Sequence, residues 1–151
     1  MAKGVDVPEE CLQVFTALST GPSETAPKYI IFRMTDDFLA SAVDHVASPG
    51  ATYEDMTLQL PPQHCRWIVY SLDSSDSPSL LEKNVPRTLC FMAWFPEKAP
   101  IKQKMLYSAS KGFFRRAFPG GADMFLIQAT SLDEIAQPVV VERVLEKNSF
   151  L

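Results

Sequence analysis

The chain has 151 residues, 46% of them hydrophobic and 21% charged, a globular balance with enough apolar side chain for one substantial core. Its formal net charge of −4 argues against nucleic acid as the main partner. No apolar run approaches the roughly 18 residues of a membrane-spanning helix, and no basic-flanked apolar leader opens the chain. The expectation is a cytoplasmic monomer with one domain over 1–151 and a flexible arm at 1–7. Cys11, Cys65 and Cys90 are odd in number and widely spaced, and His45 and His64 are not at ligand spacing with them. Reduced thiols, no metal and no cofactor are therefore expected, with Cys90 buried in an apolar run.

The first expected helix is 8–18, PEECLQVFTAL. Pro8 fits a first turn, Glu9 and Glu10 favour its positive end, and Cys11, Leu12, Phe15 and Leu18 recur at helical spacing. Residues 29–34, YIIFRM, are β-branched and aromatic enough for a strand. Asp36 and Asp37 supply a turn, and 38–43 follow as a second strand. Thr52 predicts the cap of a short helix running to Leu60, with Asp55 completing a capping box and Pro61-Pro62 stopping it. Residues 66–70 and 88–95 read as strands, the second apolar on both faces as in a sheet centre. The polar stretch 72–86 between them reads as a hairpin loop.

Residues 98–118 stand apart in charge. They hold Lys98, Lys102, Lys104, Lys111, Arg115 and Arg116 and no acid, which leaves the rest of the chain at −10. Pro100 suits a helix start and Pro119-Gly120-Gly121 a stop, with a bend expected at Gly112. At 100° per residue Met105, Leu106, Ala109, Phe113 and Ala117 share one face, which is expected to be buried. Lys104, Ser108, Lys111 and Arg115 run nearly opposite as an exposed basic stripe, with Tyr107, Phe114 and Phe118 on the flank between. A stripe without acids to pair with points to an acidic partner. Residues 125–129 form a last strand. Ser131, with Glu134, predicts a capped helical stretch that Pro138 delays or kinks before it runs to about Lys147. The order predicts an α/β (α+β) fold, a central mixed sheet of five or more strands with helices on both faces.

No GxSxG, P-loop, GxGxxG or HExxH pattern is present, and no nucleophile–base pair is readable, so no catalytic residues are expected. Adjacent Asp36 and Asp37 fit turn chemistry, and His64 and Cys65 point to opposite sides of a strand start.

Three stretches, CRWIVYSLD (65–73), FMAWFPEKAPIKQKMLYSASK (91–111) and FFRR (113–116), resemble the actin-depolymerising factor/cofilin family. MAKGVDV resembles the family's N-terminal arm. The resemblance spans essentially the whole chain and implies the family's ADF-homology, gelsolin-like fold. It implies binding to actin monomers and filaments, with filament severing, depolymerisation and turnover, in association with the cytoskeleton. Carried over by position, Lys102, Lys104, Met105, Lys111, Arg115 and Arg116 match the actin-contacting helix, and Gly4 and Val5 the arm. Lys83, Arg87, Glu142 and Arg143 match groups used on filaments. Lys3 stands where many members carry a regulatory Ser, and residues 1–8 offer no hydroxyl for phosphorylation. Gly112 and Phe113 replace the usual Asp-Ala, the basic tract between the first helix and first strand is missing, and Glu146 replaces a base of some members. These departures leave room for a mainly monomer-binding member with weak severing. A module acting on the branched-filament nucleator, or on phosphoinositide headgroups that compete for the stripe, is the remaining alternative.

Overall fold

The computed structural model describes residues 4–148. Its centre is a five-stranded mixed sheet in the order β2-β1-β3-β4-β5, formed by β1 (Tyr29–Met34), β2 (Ser41–Val46), β3 (Arg66–Leu72), β4 (Thr88–Trp94) and β5 (Phe125–Ala129). The first four strands pair antiparallel, and β4 pairs β5 parallel. Side-chain alternation divides the core cleanly. Ile30, Phe32, Trp67, Val69, Phe91 and Ala93 point to one face, against Cys11, Phe15 and Leu18 of α1 (Glu9–Thr20) and Tyr107 and Phe114 of α4 (Ile101–Arg116). Tyr29, Ile31, Ile68, Tyr70, Cys90 and Met92 point to the other. There they meet α2 (Tyr53–Leu58), α3 (Pro78–Glu82) and α5 (Gln137–Asn148) through Met56, Leu80 and Val140. Five strands with helices on both faces is the architecture the element order implies.

Local chemistry explains most boundaries. Pro8 caps α1, whose first turn holds Glu9 and Glu10. Thr52 and Asp55 form the expected reciprocal box, with the Asp55 amide donating to Thr52 Oγ1 at 3.1 Å and the Thr52 amide to Asp55 Oδ2 at 2.8 Å. Four expectations need correction. The second strand is Ser41–Val46, three residues later than its hydropathy suggests. Residues 35–40 are instead a tight turn: the Thr35 amide donates to the Ala40 carbonyl, Asp37 accepts from the Thr35 hydroxyl and the Leu39 amide, and Phe38 sits at φ 60°. Residues 72–86 are not a plain loop, because Ser77 caps the short helix α3 with Pro78 at its start. Ser131 makes no side-chain cap, because Glu134 instead binds the amide and hydroxyl of Thr130; the delayed start expected from Pro138 does occur, α5 beginning at Gln137 with Pro138 in its first turn. The long helix runs unbroken through Gly112.

The arm is anchored from its fourth residues onward, which corrects flexibility for that part; residues 1–3 lie outside the described residues. Val5 is buried, and Asp6 bridges Ala40 in parallel, its amide donating to the Leu39 carbonyl and its own carbonyl accepting from the Ser41 amide. The arm thus extends the sheet at the entrance to β2.

At the edge of the face covered by α2, α3 and α5 lies a buried ion cluster around Tyr70. Lys28 Nζ reaches Asp76 at 2.8 Å and Asp73 at 3.3 Å, with the Lys28 and Asp76 side chains almost wholly enclosed. Tyr70 donates its hydroxyl to Asp76 at 2.6 Å, and the Asp73 amide donates to the same carboxylate. Burial pushes the Asp73 carboxyl up, but hydrogen bonds from Ser75 and the Lys28 charge outweigh it and hold it below the usual range. A carboxyl depressed in the folded state adds stability above its unfolded pKa and loses it as pH falls through the folded value. Stability should therefore decline on acidification below about pH 4, less steeply in Asp73→Asn. Lys28→Ala strands a buried carboxylate and should cost about 3–5 kcal/mol in a urea titration at pH 7.

Cys11, Cys65 and Cys90 are unpaired and buried. Burial pushes the Cys90 thiol up to about 12 and that of Cys65 to about 11. All three should resist a disulfide reagent in the native state and label together on unfolding; fast native labelling of Cys90 would contradict its place in the sheet.

Candidate protein-binding surface

The rotation of α4 about its own axis decides what it can offer a partner. Aromatic packing sets that rotation. Phe114 stacks on Trp67 with centroids 4.3 Å apart and planes at 15°, and meets Phe32 edge-on at 5.2 Å. Phe118, just past the helix, stacks on Phe15 of α1 at 4.5 Å. Tyr107 packs on Trp67 at 4.8 Å, and its hydroxyl accepts the Met34 amide at 2.7 Å, terminating the β1 ladder from outside the sheet. Tyr107, Ser110, Phe114 and Phe118 therefore make the buried line, at steps of three and four.

The expected burial of this helix is corrected accordingly. Met105, Ala109, Phe113 and Ala117 are exposed, with Met105 at 65% and Phe113 at 47%; only Leu106 of that set is half-buried. The helix is turned by roughly a third of a revolution from the simple apolar wheel. Three large rings bury more surface against the sheet than the line of Met105, Ala109, Phe113 and Ala117, which carries only one. The outward face thus carries Ile101, Lys102, Met105, Ala109, Phe113 and Arg116, apolar along its middle and basic at both ends.

The same rotation moves Lys104, Lys111 and Arg115 onto a half-buried flank, where each has an intramolecular partner. Lys104 Nζ donates to the Glu97 carbonyl at 3.0 Å, and Lys111 Nζ to Gln128 Oε1 of β5 at 2.7 Å. Partial burial and the neighbouring Arg115 lower the Lys111 pKa. Arg115 spans the 121–124 turn, donating to the carbonyls of Gly121, Ala122 and Met124 at 3.0, 2.8 and 2.7 Å. A Cβ on Gly121 would collide with the Arg115 carbonyl, so this turn closes on the helix end only with glycine there. Lys102 lies elsewhere, its ammonium 5.5 Å from the centre of the Phe38 ring in the 35–40 turn. Gly4 is exposed and lies against Phe113, whose ring a Cβ at position 4 would strike. Val5 faces the core and positions Gly4 instead of presenting its own side chain.

Of the four positions expected to meet filaments, Lys83, Glu142 and Arg143 lie on the side of α3 and α5, whereas Arg87 reaches the α1 side, so the structure brings together only some of them. Lys83, at the C-terminal end of α3, and Glu142 line a groove of about 410 Å³ with Val85 and Leu145. Arg143 sits 5.7 Å from the Phe125 ring centre. Arg87 is committed to the α1 terminus, donating to the Leu18 and Ser19 carbonyls at 3.0 and 2.6 Å. Residues that sequence reasoning left out are Ile101 and the turn pair Phe38 and Leu39; an apolar side chain in a turn gives no periodic signal.

A sheet covered on both faces, with one long helix showing an apolar and basic outer face, is the architecture of a protein-binding module. The family model for cofilin/tropomyosin-type actin-binding proteins matches residues 4–145. Cofilin of Schizosaccharomyces pombe is 37% identical over 145 residues, covering 95% of this chain and 97% of its own. Actophorin of Acanthamoeba castellanii is 32% identical over 140 residues, covering 93% and 94%. Among solved structures, the crystal structure of Streptomyces griseoflavus cofilin matches with a TM-score of 0.77 at 31% identity, covering 93% of this chain and 97% of that one. The chain belongs to the cofilin/tropomyosin-type family of actin-binding proteins.

The two neighbouring arginines should separate in a stability measurement. Arg115→Ala removes three hydrogen bonds from a charged donor to the 121–124 turn and should cost about 1–3 kcal/mol. Arg116→Ala, on the exposed face, should stay within about 0.5 kcal/mol of the parent. Equal urea midpoints for the two variants would show that the Arg115 clamp carries no stability.

Proposed function

We propose that this chain binds actin monomers and filaments and promotes filament severing, depolymerisation and turnover in the cytoplasm, as a binding protein without catalytic turnover of its own. The family match supports the partner, and the outward face of α4 is the observation that carries the site. Its rotation frees Lys102, Met105, Phe113 and Arg116, beside Gly4, while the aromatic line keeps the helix fixed. Lys104 and Lys111 reach the same partner from the flank. Arg115 acts mainly by shaping the helix end. Anionic phosphoinositide headgroups would compete for the exposed bases.

Lys83, Glu142 and Arg143 form the second surface, engaged only where a filament supplies a neighbouring subunit. One observation favours a modest filament contribution: the Arg87 guanidinium is turned to the α1 side, where two α1 carbonyls already occupy it and the Ser71 hydroxyl lies 3.4 Å away. Severing is then weaker than monomer binding.

Lys102→Ala/Arg116→Ala should lower affinity for monomer and filament alike by about tenfold or more, with the loss shrinking as salt rises. Lys83→Ala/Arg143→Ala should spare monomer binding and reduce filament co-sedimentation. Circular dichroism checks folding in both. Unchanged monomer affinity in the first variant would place the actin contact elsewhere.

A further inference from the structure

Beside the outward face of α4, and sharing Phe113 and Gly4 with it, lies a groove of about 690 Å³ that is apolar except for Asp6 of the arm. One wall is Phe38 and Leu39 of the 35–40 turn, and the other is Phe113 and Ala117 of α4. The arm, from Gly4 to Val7, closes the bottom. Leu39 is 70% exposed, at the tip of a turn held by three hydrogen bonds around Thr35 and Asp37. Phe38 has positive φ, a strained setting for an aromatic residue that persists only where surrounding contacts hold it. Its ring lies under the Lys102 ammonium, so the turn and the helix act as one surface.

We propose that this groove is a second, hydrophobic contact for the same actin subunit that meets α4, with Leu39 and Phe113 as its anchors. The inference rests on the actin-binding reading above and adds a specificity-determining element to it. The groove is continuous with the outward face: Phe113 belongs to both, and Ile101 and Met105 extend the apolar strip along the helix. An exposed apolar strip between bases fits an apolar ridge on a partner whose flanks are acidic. The position that carries Phe113 is where the family resemblance leads one to expect alanine, so the aromatic wall is a feature of this chain. Gly4 is the matching feature of the arm, since any side chain there would displace the Phe113 ring. Burial of apolar side chains is insensitive to ionic screening, so this contact leaves a salt-resistant share of the affinity.

The test compares Leu39→Ser, Phe113→Ala and Lys102→Ala/Arg116→Ala in the full chain, with affinity for monomeric actin measured from low to high salt. Leu39→Ser and Phe113→Ala should each weaken binding about tenfold or more, by a factor that persists at high salt. The charge variant should lose its effect there. Far-ultraviolet circular dichroism and melting curves verify that each variant folds; Leu39 is exposed, so its replacement leaves the core untouched. If the charge variant weakens binding while Leu39→Ser and Phe113→Ala do not, the groove contact is overturned and the α4 reading stands. If none of the three weakens binding, both readings fall. Sedimentation showing that the parent self-associates through Leu39 and Phe113, with actin affinity unchanged in both variants, assigns the groove to a second copy and overturns the proposal.

Discussion

The stack of Phe114 on Trp67 is the contact on which the functional surface depends. It places one ring of α4 against the centre of the sheet. Tyr107, two turns before it, and Phe118, one turn after it, then follow it inward. Everything offered to a partner is what remains. Had the helix buried its Met105 line instead, the same sequence would have presented aromatic rings and a hydrogen-bonding Tyr107 hydroxyl to solvent, and the Met34 amide would have lacked its acceptor. The sheet supplies the reason for the outcome: Trp67, Phe32 and Phe91 make an aromatic floor that three rings cover better than the single ring of Phe113 with a methionine and two alanines.

Much of the architecture was legible from residue order. The strands read at 29–34, 66–70, 88–95 and 125–129 declare themselves through β-branched and aromatic runs, to within two residues of their ends, and the Thr52–Asp55 box through its spacing. The second strand was misplaced because Phe38, Leu39 and Ala40 look like strand residues. Their turn is dictated by hydrogen bonds to Thr35 and Asp37 side chains, which hydropathy cannot register. The ion cluster of Lys28, Asp73 and Asp76 was invisible for a related reason. Its members lie 45 and 48 positions apart along the chain and meet only after β1 and β3 pair.

The candidate site was half legible. Charge asymmetry singled out the helix that carries the candidate surface, and family resemblance named residues on it. Neither could say which bases face outward, because a helical wheel ranks faces by hydropathy and not by ring fit. Lys104, Lys111 and Arg115 look equivalent to Lys102 and Arg116 in sequence. In the fold, the first three answer carbonyl or amide oxygens of their own chain. A base that already has an internal acceptor gains less from an incoming carboxylate than one facing water.

The division of helices between the two sheet faces sets a fixed thickness. The outward side of α4 and the groove of Lys83 and Glu142 are separated by a helix layer, a sheet and a second helix layer, all packed side chain to side chain. Close-packed layers do not stretch or compress to suit a ligand. A partner assembly held at both sides at once must therefore adopt the spacing and angle that this block imposes. Any mismatch with the assembly's own preferred geometry becomes strain in the partner, and that strain accumulates with each block added.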